Sequence, residues 1–572
     1  MKSFFRHSAL LLLLCRCSVA ASSTKVCPLL GPGFPVPTNL PSNDRFQKAV
    51  AEFNQSLDNA LKTGNTPLGP FPVNLTSFSI GMFNVADEGM IYQYHYTDPV
   101  VQNSTVGTKE VNANTVYRLA SISKMLTVYL FLITEGLEHY HDPITNYIPE
   151  LTTIEVQDGV APDWRHITIG QLASHFAGLG RSYGITDIGF PWSKPSSLPD
   201  LPDDQLPRCS YVDADNIYVT CTEEDLLEGL ASTPPIFHTS SSPGYSDKGF
   251  ILISIALARA SNSTWEDLFM TRIVQALGLT DTTYQVPRGN LNAAIPLDVS
   301  TSGWDFELGP LSPAGGYFSS THDMAKIGTA ILNSTLLSAA ETRQWLTPSS
   351  FTASPRMAAG APWEIFRTEI KGRTVDMYCK NGGLLAYSTL FVLVPDFQLG
   401  FSILTASSLN GNGGLVWAIS EMISDTFLPA LEDVAREQAR AVFEGTYSNG
   451  TSTLEIVVDE QPGLRVMNWT NNGEDVMEQI TGITGDDVYV DFRLQPNGLY
   501  SGNTVGFTGW FDVMPNQLVG GHFDLNCLKW GGVDGITHGN LGLGSFTFQV
   551  DSVAGRSVSI RSMALRNTLE RV

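Results

Sequence analysis

The stretch "NTVYRLASISKMLTVYLFLITEG", residues 114–136, constrains the fold more than any other part of the chain. Its apolar run has the composition of a buried helix but is about half as long as the 18 or so residues that a membrane helix needs. It must therefore pack inside a substantial core. Lys124 stands at the mouth of that helix, where burying an ammonium is costly unless it has a partner or a chemical role.

Length and charge narrow the class of protein. A chain of 572 residues predicts at least two domains, and 43% hydrophobic residues favour folded structure over disorder. The formal net charge of −23 argues against nucleic acid and anionic membrane surfaces as partners. No later stretch is long enough to predict a membrane span.

The chain opens with the pattern of a secretory signal. Residues 1–20 combine early positive charge, an apolar stretch and a small-residue cleavage site, and residues 21–40 are a separate N-terminal segment. Asn-x-Ser/Thr sequons support a secretory, glycosylated route, and they lie at Asn54, Asn74, Asn103, Asn262, Asn333, Asn449 and Asn468. We therefore expect a secreted protein.

Cysteine usage fits that route. Removing the leader leaves five of the seven cysteines, so at least one thiol is unpaired within the chain. Cys209 and Cys221 flank a short acidic loop and are predicted to form a disulfide. The sequence does not choose among pairings of Cys27, Cys379 and Cys527.

The order of secondary structure predicts an α+β body followed by an all-β domain. Residues 43–62 have helical periodicity after an Asn/Asp cap, and residues 78–96 alternate like two strands around a turn. Residues 140–290 are predicted to be mostly helical, with a break at 190–208. Residues 378–407 are predicted to form two strands joined by "PDF", with Lys380 at the start of the first. We place the body at 41–435 and the β domain, rich in short alternating strands, at 436–572.

The Ser-x-x-Lys spacing at Ser121 and Lys124 carries a specific chemistry. A hydroxyl and an amine three residues apart share one side of a helix's first turn, so the amine can take the hydroxyl's proton. The helix N-terminus also favours negative charge beside the serine. "SSTK" at 22–25 matches the same pattern, but it lacks the buried helix behind it. Further on, "PGYSDKGF" offers Tyr245 and Asp247, and "YCKNGG" offers Lys380 with two glycines.

With these motifs the chain resembles the serine β-lactamase and penicillin-binding-protein superfamily, in its class C- and esterase-like branch. The family's Ser-x-x-Lys, Tyr-x-Asn and Lys-Thr-Gly motifs match residues 121–124, 245–247 and 380–382, in that order. The phrases "ITIGQLASHFAGL" and "LSPAGGYFSSTHDMAKIG" are also similar to family segments. The resemblance implies an antiparallel sheet flanked by helices, together with an all-helical subdomain. The β domain resembles that of secreted fungal relatives.

The resemblance also implies roles for single residues. Ser121 would be the nucleophile that forms an acyl-enzyme, and Lys124 and Tyr245 would share the proton transfers. The backbone N–H groups of Ser121 and Gly383 would form the oxyanion hole. Lys380 would hold Tyr245 in its reactive state or bind a substrate carboxylate. The resemblance implies no metal and no cofactor, and a small-molecule or peptide-like acyl substrate.

Two residues depart from the family pattern. Asp247 stands where Asn is usual, and Asn381 where Thr is usual, so an amide donor and a hydroxyl that recognise β-lactams are lost. An ionised Asp247 would also favour the charged forms of nearby lysines. We expect a serine hydrolase acting on an ester, lactone or amide, with weak or absent β-lactamase activity. An acyltransferase or cyclase using the same acyl-enzyme, and an inactive binding module, remain as alternatives; the sequence predicts neither substrate nor oligomeric state.

Competing motifs are weaker. "GRSYG", residues 180–184, matches the nucleophile elbow of α/β-hydrolases, but Ser182 follows a helix-like segment where that motif needs a strand. "YSN" at 447–449 fits the tyrosine motif by letter but breaks the motif order. "HYHD" at 139–142 lacks the spacing of a metal site. His175 and His238 are interpreted as packing residues.

Overall fold

The computed structural model describes residues 27–156, 159–215, 217–289, 291–409, 413–484, 490–513, 522 and 527–572. The chain divides into two compact units: Leu30–Ala441, and Val442–Val572 with the residues that precede Leu30. The predicted signal peptide, residues 1–20, lies outside the described residues. No helix in the described part of the chain is long and apolar enough to cross a membrane.

The first unit is a mixture of helices and strands. Its helices are α1 (Asp44–Thr63), α2 (Pro99–Asn103), α3 (Ser123–Glu135), α4 (Ile169–Ala173), α5 (Glu223–Ala231), α6 (Lys248–Ala260), α7 (Trp265–Phe269), α8 (Ser312–Gly315), α9 (Thr321–Leu332), α10 (Ala339–Trp345) and α11 (Gly414–Phe443). A π-helical segment spans Met270–Gln275. Turns of 3₁₀ helix occur at Leu40–Ser42, Ala120–Ile122, Leu137–His141, Ile144–Asn146, Pro149–Thr152, Asp203–Gln205, Gly309–Leu311 and Pro395–Phe397.

The main sheet of this unit has eight antiparallel strands. They are β1 (Thr76–Asn84), β2 (Met90–Tyr96), β3 (Ser350–Phe351), β4 (Met357–Ala359), β5 (Glu364–Ile370), β6 (Arg373–Leu384), β7 (Tyr387–Val394) and β8 (Leu399–Ser407). Their order across the sheet is β2-β1-β8-β7-β6-β5-β4-β3. Short two-residue strands also pair: Asn65–Thr66 with Gly69–Pro70, Tyr117–Arg118 with Phe318–Ser319, and Tyr211–Val212 with Tyr218–Val219.

Local sequence explains the first elements. The Asn43 side chain accepts from the first free N–H groups of α1, and Gly64 ends the helix in a left-handed conformation. The predicted hairpin of residues 78–96 is confirmed as β1 and β2. These elements form where helical and alternating periodicity are strongest.

The strand prediction for residues 378–407 was wrong in two respects. Three strands, β6 to β8, replace the expected two, because the chain also turns between Leu384 and Tyr387, which face each other across the β6–β7 pair. Leu385, in that turn, adopts a left-handed φ of 48°, which an apolar sequence does not signal. Lys380 lies near the end of β6, not at the start of a strand.

Helices cover both faces of the sheet. On one face, Phe53 of α1 and Phe427 of α11 pack with Ile403 of β8 in one apolar cluster. On the other, a larger cluster joins Met125 of α3 to Leu252 of α6. The predicted α+β body, with its helix-flanked antiparallel sheet, is confirmed.

The region 140–290 is less regular than expected. Helices α4 and α7 are short, and mostly irregular backbone separates α4 from α5 and α5 from α6, because Gly, Pro, Ser and Asp interrupt the helical patterns. The apolar run of residues 125–133 does lie in α3, which is buried over most of its length.

The second unit is a closed β-barrel. Its strands are β9 (Gly445–Ser448), β10 (Thr453–Val457), β11 (Leu464–Asn471), β12 (Glu474–Asp475), β13 (Val490–Ser501), β14 (Thr504–Val513), β15 (Ser545–Asp551), β16 (Arg556–Ser562) and β17 (Asn567–Arg571). The unit also contains a helix, α12 (Val476–Thr484), and a 3₁₀ turn at Lys529–Gly532. A short pair of strands joins Thr537–His538 to Leu541–Gly542. The sheet order is β10-β9-β17-β16-β15-β14-β13-β11-β12. Because β10 also pairs with β11, the sheet closes on itself. The predicted all-β character is confirmed, while α12 was not anticipated.

Disulfides occur in both units. Cys209 pairs with Cys221, and Cys27 pairs with Cys527. Cys379 is free and buried, and burial raises the pKa of its thiol well above its usual value. A thiol held in its neutral form is a poor nucleophile.

Surface exposure bears on the sequons. Asn54 is partly buried, and its side chain accepts a hydrogen bond from the Tyr92 hydroxyl at 2.7 Å. The other six sequon asparagines are exposed, so glycans at those positions would not disturb packing.

Candidate active site

Ser121 lies in the 3₁₀ turn Ala120–Ile122 that leads into α3. Ala120 holds a left-handed φ of 48°, a strained conformation for a residue with a side chain. The buried Ser123 hydroxyl donates to the Ala120 carbonyl at 2.7 Å and accepts from the Tyr317 N–H at 3.0 Å. Ser123 therefore braces the turn that presents Ser121.

Lys124 is fully buried one turn into this segment. Its ammonium nitrogen donates to the Ser121 hydroxyl at 3.1 Å and to the Ala314 carbonyl. It also forms an ion pair with Asp247, with an Nζ–Oδ1 distance of 2.6 Å. These partners offset the cost of burying the ammonium group.

Asp247 is the residue before α6, and its side chain links Lys124 to a second serine. Its Oδ2 accepts from the Ser182 hydroxyl at 2.6 Å. Burial raises the pKa of Asp247, but Lys124 and the hydrogen bonds lower it by more, so the net pKa lies below its usual value. Asp247 is therefore a carboxylate.

Ser182 shares the cavity with Ser121 but lacks the setting of a nucleophile elbow. It lies in irregular backbone after α4, with no strand leading into it. Its hydroxyl proton is directed at Asp247. Ser182 thus extends the network around Lys124, a role that its motif did not indicate.

Tyr245 lies among three cationic side chains. The Lys124 and Lys380 ammonium nitrogens are each 5.1 Å from the centre of its ring, and the Arg181 guanidinium carbon is 4.7 Å away. Burial raises the pKa of the Tyr245 hydroxyl, but the two lysines and a hydrogen bond from Ser121 lower it by more, and the net pKa falls below its usual value. The phenolate is accordingly more accessible than in a free tyrosine.

The His175 ring stacks on the Tyr245 ring. The two ring centres are 4.3 Å apart and nearly parallel. Burial, with Lys380 and Lys124 nearby, holds the pKa of His175 well below its usual value. Its Nδ1 accepts from the Ser246 N–H at 3.0 Å, so the neutral ring carries its proton on Nε2. His175 packs as the sequence indicated, and it packs against the candidate base.

Lys380 has a partner that sequence reasoning missed. Its ammonium donates to Glu364 Oε1 at 2.6 Å and to the Asn381 carbonyl at 2.8 Å. Burial lowers the pKa of Lys380, but Glu364 and Tyr245 raise it by more. Glu364 could have been found from the hairpin centred on Gly372, which pairs Glu364 with Cys379, next to Lys380.

Asn381 belongs to the same Glu364 network. Its backbone N–H donates to Glu364 Oε2 at 3.1 Å, and its side-chain amide donates to the same oxygen. Asn381 therefore points its donor groups at Glu364 and not at the cavity.

The two glycines after Asn381 have different surroundings. A side chain at Gly382 would collide with the Leu119 carbonyl and the Thr389 hydroxyl, and it would lie 2.9 Å from the Ser121 backbone nitrogen. Gly383 faces open space and lines the same cavity as Ser121. The close approach at Gly382 thus sets the last residues of β6 against the turn that holds Ser121.

These groups open into a cavity of about 890 Å³. Ser121, Arg181, Ser182, Asp247 and Gly383 lie in its wall. Tyr447 of the "YSN" motif is instead buried in the second unit, where its hydroxyl donates to the Phe443 carbonyl.

A carboxylate–histidine group lies elsewhere in the first unit. Asp281, His322 and Asp323 each bring one possible ligand atom within 4.8 Å of the others. Asp281 accepts from Ser320, the residue before α9, and Asp323, in the first turn of α9, accepts from Thr282, which gives both carboxylates a structural role. In the "HYHD" segment, His139 pairs with Asp142 at 2.8 Å.

Comparison with known families places the chain in a family. A family model described as beta-lactamase matches residues 85–418, more than half of the chain. The chain therefore belongs to the beta-lactamase family, whose members are typically serine hydrolases. A second model, described as "Beta-lactamase-like-like, C-terminal domain", matches residues 435–572.

Individual relatives cover different shares of the chain. A beta-lactamase-like protein of Arthroderma benhamiae is 28% identical over 96% of both chains. A probable hydrolase M10 of Phoma sp. is 27% identical over 66% of this chain and 63% of that protein. Among solved structures, a class C beta-lactamase is 15% identical over 66% of this chain and 97% of that one, with a TM-score of 0.47. A D-stereospecific amidohydrolase from Streptomyces sp. is 19% identical over 66% and 98%, with a TM-score of 0.46.

Proposed function

We propose that this chain is a serine hydrolase that works through an acyl-enzyme at Ser121 on an uncharged ester, lactone or amide. The observation that carries the proposal is the position of the Ser121 hydroxyl, 3.1 Å from the Lys124 ammonium and hydrogen-bonded to Tyr245, in the wall of an open cavity. Family membership supports hydrolysis as the reaction type.

Tyr245, not Lys124, is the proton acceptor in this proposal. The Lys124 ammonium is paired with the Asp247 carboxylate, and it donates a hydrogen bond to Ser121 instead of accepting one from it. The lowered pKa of Tyr245 makes its phenolate available, and Ser121 already donates to it. Lys124 and Lys380 would then stabilise the negative charge on the phenolate.

The reaction follows from these roles. The Ser121 oxygen attacks the substrate carbonyl carbon while its proton passes to Tyr245, and the carbonyl oxygen becomes an oxyanion held by the N–H groups of Ser121 and Gly383. The oxyanion collapses, the bond to the alcohol or amine breaks, and Tyr245 returns the proton to that leaving group. Water then attacks the acyl-enzyme by the same route and releases the acid.

Recognition of a substrate carboxylate by Lys380 is disfavoured. Glu364 already neutralises its ammonium and also accepts hydrogen bonds from the backbone N–H and the side-chain amide of Asn381. A carboxylate brought beside Lys380 would meet the Glu364 charge as well. This supports weak or absent hydrolysis of β-lactams, which carry a carboxylate.

We also propose that the protein is secreted and glycosylated. The pattern of residues 1–20 and the two disulfides are compatible with an oxidising compartment. The six exposed sequon asparagines are accessible to glycosylation. Treatment with a peptide N-glycosidase would lower the mass of protein purified from a eukaryotic culture medium.

A fluorophosphonate probe tests the serine assignment. We expect the full-length protein to gain one phosphonyl group, mapped by peptide mass spectrometry to Ser121. Ser121→Ala should lose the label, whereas Ser182→Ala, the matched serine in the same cavity, should keep it. Absence of label on folded protein would refute the proposal, and label on Ser182 would reassign the nucleophile. Added alcohols or amines that divert the acyl group from water would instead indicate acyl transfer.

A further inference from the structure

The cavity beyond Ser121 has an apolar wall built from three separate segments. Ile217 and Tyr218 come from the hairpin in which Tyr211–Val212 pairs with Tyr218–Val219, Phe306 and Leu308 from the loop before α8, and Leu384 and Leu385 from the turn between β6 and β7. From this wall we infer the substrate class: an ester or amide with a long apolar acyl group and no carboxylate beside the reacting carbonyl. This inference rests on the proposed function.

Leu385 is the strongest single observation. It is 43% exposed, although it is a large apolar residue, and it holds a left-handed φ of 48°. Both features are unfavourable for leucine, and glycine or asparagine would make the same turn more easily. Its side chain lies against Gly303 in the cavity wall. An apolar ligand in the cavity would cover the leucine that the turn exposes.

Ile217 is the second exposed apolar residue of the wall, at 61%. Its hairpin is closed by the Cys209–Cys221 disulfide and by the pairing of Tyr211–Val212 with Tyr218–Val219. The Tyr218 ring contacts Phe306, with ring centres 5.0 Å apart. The hairpin and the loop therefore form one continuous apolar surface.

This surface has a fixed position relative to the nucleophile. The buried Arg118 guanidinium donates to the carbonyls of Trp304 (3.1 Å) and Phe306. Arg118 is three residues before Ser121 and belongs to the short strand that enters its turn. These hydrogen bonds connect the loop that carries Phe306 to the segment that carries Ser121. They therefore fix the distance between Ser121 and the apolar wall.

The charges beside the apolar segments disfavour an anionic acyl chain. Arg288 is paired with Glu307, and Asp305 adds a negative charge next to Phe306. The other cation of the wall, Arg181, lies over the Tyr245 ring and not among the apolar segments. Hydrocarbon placed against the apolar segments loses water from both surfaces, whereas a carboxylate there would meet the charge of Asp305.

A series of p-nitrophenyl esters with acetyl, butyryl and octanoyl groups tests the inference, with the full-length protein and kcat/KM as the readout. We expect octanoate to exceed acetate by at least about tenfold, because each buried methylene contributes roughly a fourfold gain. Ile217→Ser should lower the octanoate-to-acetate ratio at least about threefold. Ile188→Ser, an exposed isoleucine outside the cavity wall, is the matched control and should leave the ratio as in the parent protein.

Leu385→Gly separates binding from folding. It removes the strained left-handed leucine, so the thermal midpoint should hold or rise while the octanoate-to-acetate ratio falls. Turnover that depends on Ser121 but does not increase with chain length would overturn the substrate class and leave the proposed function standing. Absence of Ser121-dependent turnover with every ester would overturn both.

Discussion

At the scale of single residues, Lys124 is a buried charge that several groups of the candidate site contact. It is a fully buried cation whose charge is balanced by Asp247 and whose ammonium donates to Ser121 and Ala314. Removing one partner of such a pair leaves an uncompensated buried charge, which is strongly destabilising. The sequence indicated that burying Lys124 would be costly. In the structure, Asp247, Ser121 and Ala314 offset that cost.

Asp247→Asn tests the ion pair through stability. The pKa of Asp247 is lower in the folded than in the unfolded protein, so its contribution is fully present above the usual value of 3.8 and is lost as pH falls through the folded pKa. At pH 7 we expect the variant to lose about 1–3 kcal/mol of unfolding free energy, because Asn can still accept from Lys124.

Urea unfolding of both proteins at pH 7 and pH 3 gives the measurement for Asp247. The gap between the parent protein and the variant should shrink at pH 3, because this pH lies below the usual pKa of 3.8 and the carboxylate of the unfolded parent is then mostly protonated. A gap of the same size at both pH values would contradict an ionised Asp247.

Lys380→Met tests the tuning of Tyr245. Loss of the Lys380 charge removes one of the two cations that lower the pKa of Tyr245, so that pKa should rise. Because the phenolate is the active form, the ascending limb of the kcat/KM profile should move to higher pH by about one unit. Lys380→Arg keeps the charge and should move the limb less. An unchanged limb in the methionine variant would exclude Lys380 as the tuning cation.

The sequence predicted site residues only where they belong to short motifs that follow one another along the chain in the family's order. The structure brings together five residues that the sequence predicted for one site: Ser121, Lys124, Tyr245, Asp247 and Lys380. The roles of Glu364 and Ser182 were missed, because each depends on a contact with a distant segment. Such contacts require strand register and loop paths that composition does not encode.

At the scale of elements, the end of β6 positions the nucleophile. Gly382→Ala would push a methyl group into the Leu119 carbonyl, the Thr389 hydroxyl and the Ser121 N–H. We expect it to lower kcat/KM by about 10²-fold or more, because the turn that presents Ser121 must shift. Gly383→Ala adds the same methyl group in open space and should leave the thermal midpoint unchanged. Equal midpoints and full activity in the Gly382 variant would contradict this packing.

The elements themselves were predicted best where one periodicity dominates. α1 and α3 have clear caps or apolar runs, and the β1–β2 hairpin alternates around a turn. The division of residues 373–407 into three strands was missed because Leu385 makes a turn without a turn residue. The irregular segments between α4 and α7 follow tertiary contacts that local propensity does not determine.

At the scale of the whole molecule, the chain has a beta-lactamase-family domain followed by a β-barrel domain. The Cys27–Cys527 disulfide joins residues 500 positions apart and lies within the second unit, which therefore contains the start and the end of the described chain. The sequence pattern predicted two folded domains, and five cysteines remain after the predicted signal peptide is removed. It did not predict this pairing, because disulfide connectivity depends on the fold.

The central claim is that Ser121 carries an acyl group during turnover, and trapping that intermediate tests it most directly. The full-length protein would be mixed with excess p-nitrophenyl octanoate, quenched in acid within its first turnovers, and analysed by intact mass and peptide mapping. We predict one octanoyl group per chain on the peptide that contains Ser121, and none in Ser121→Ala. Ester hydrolysis by the parent protein with the acyl group on another residue, or equal hydrolysis by Ser121→Ala, would contradict the account.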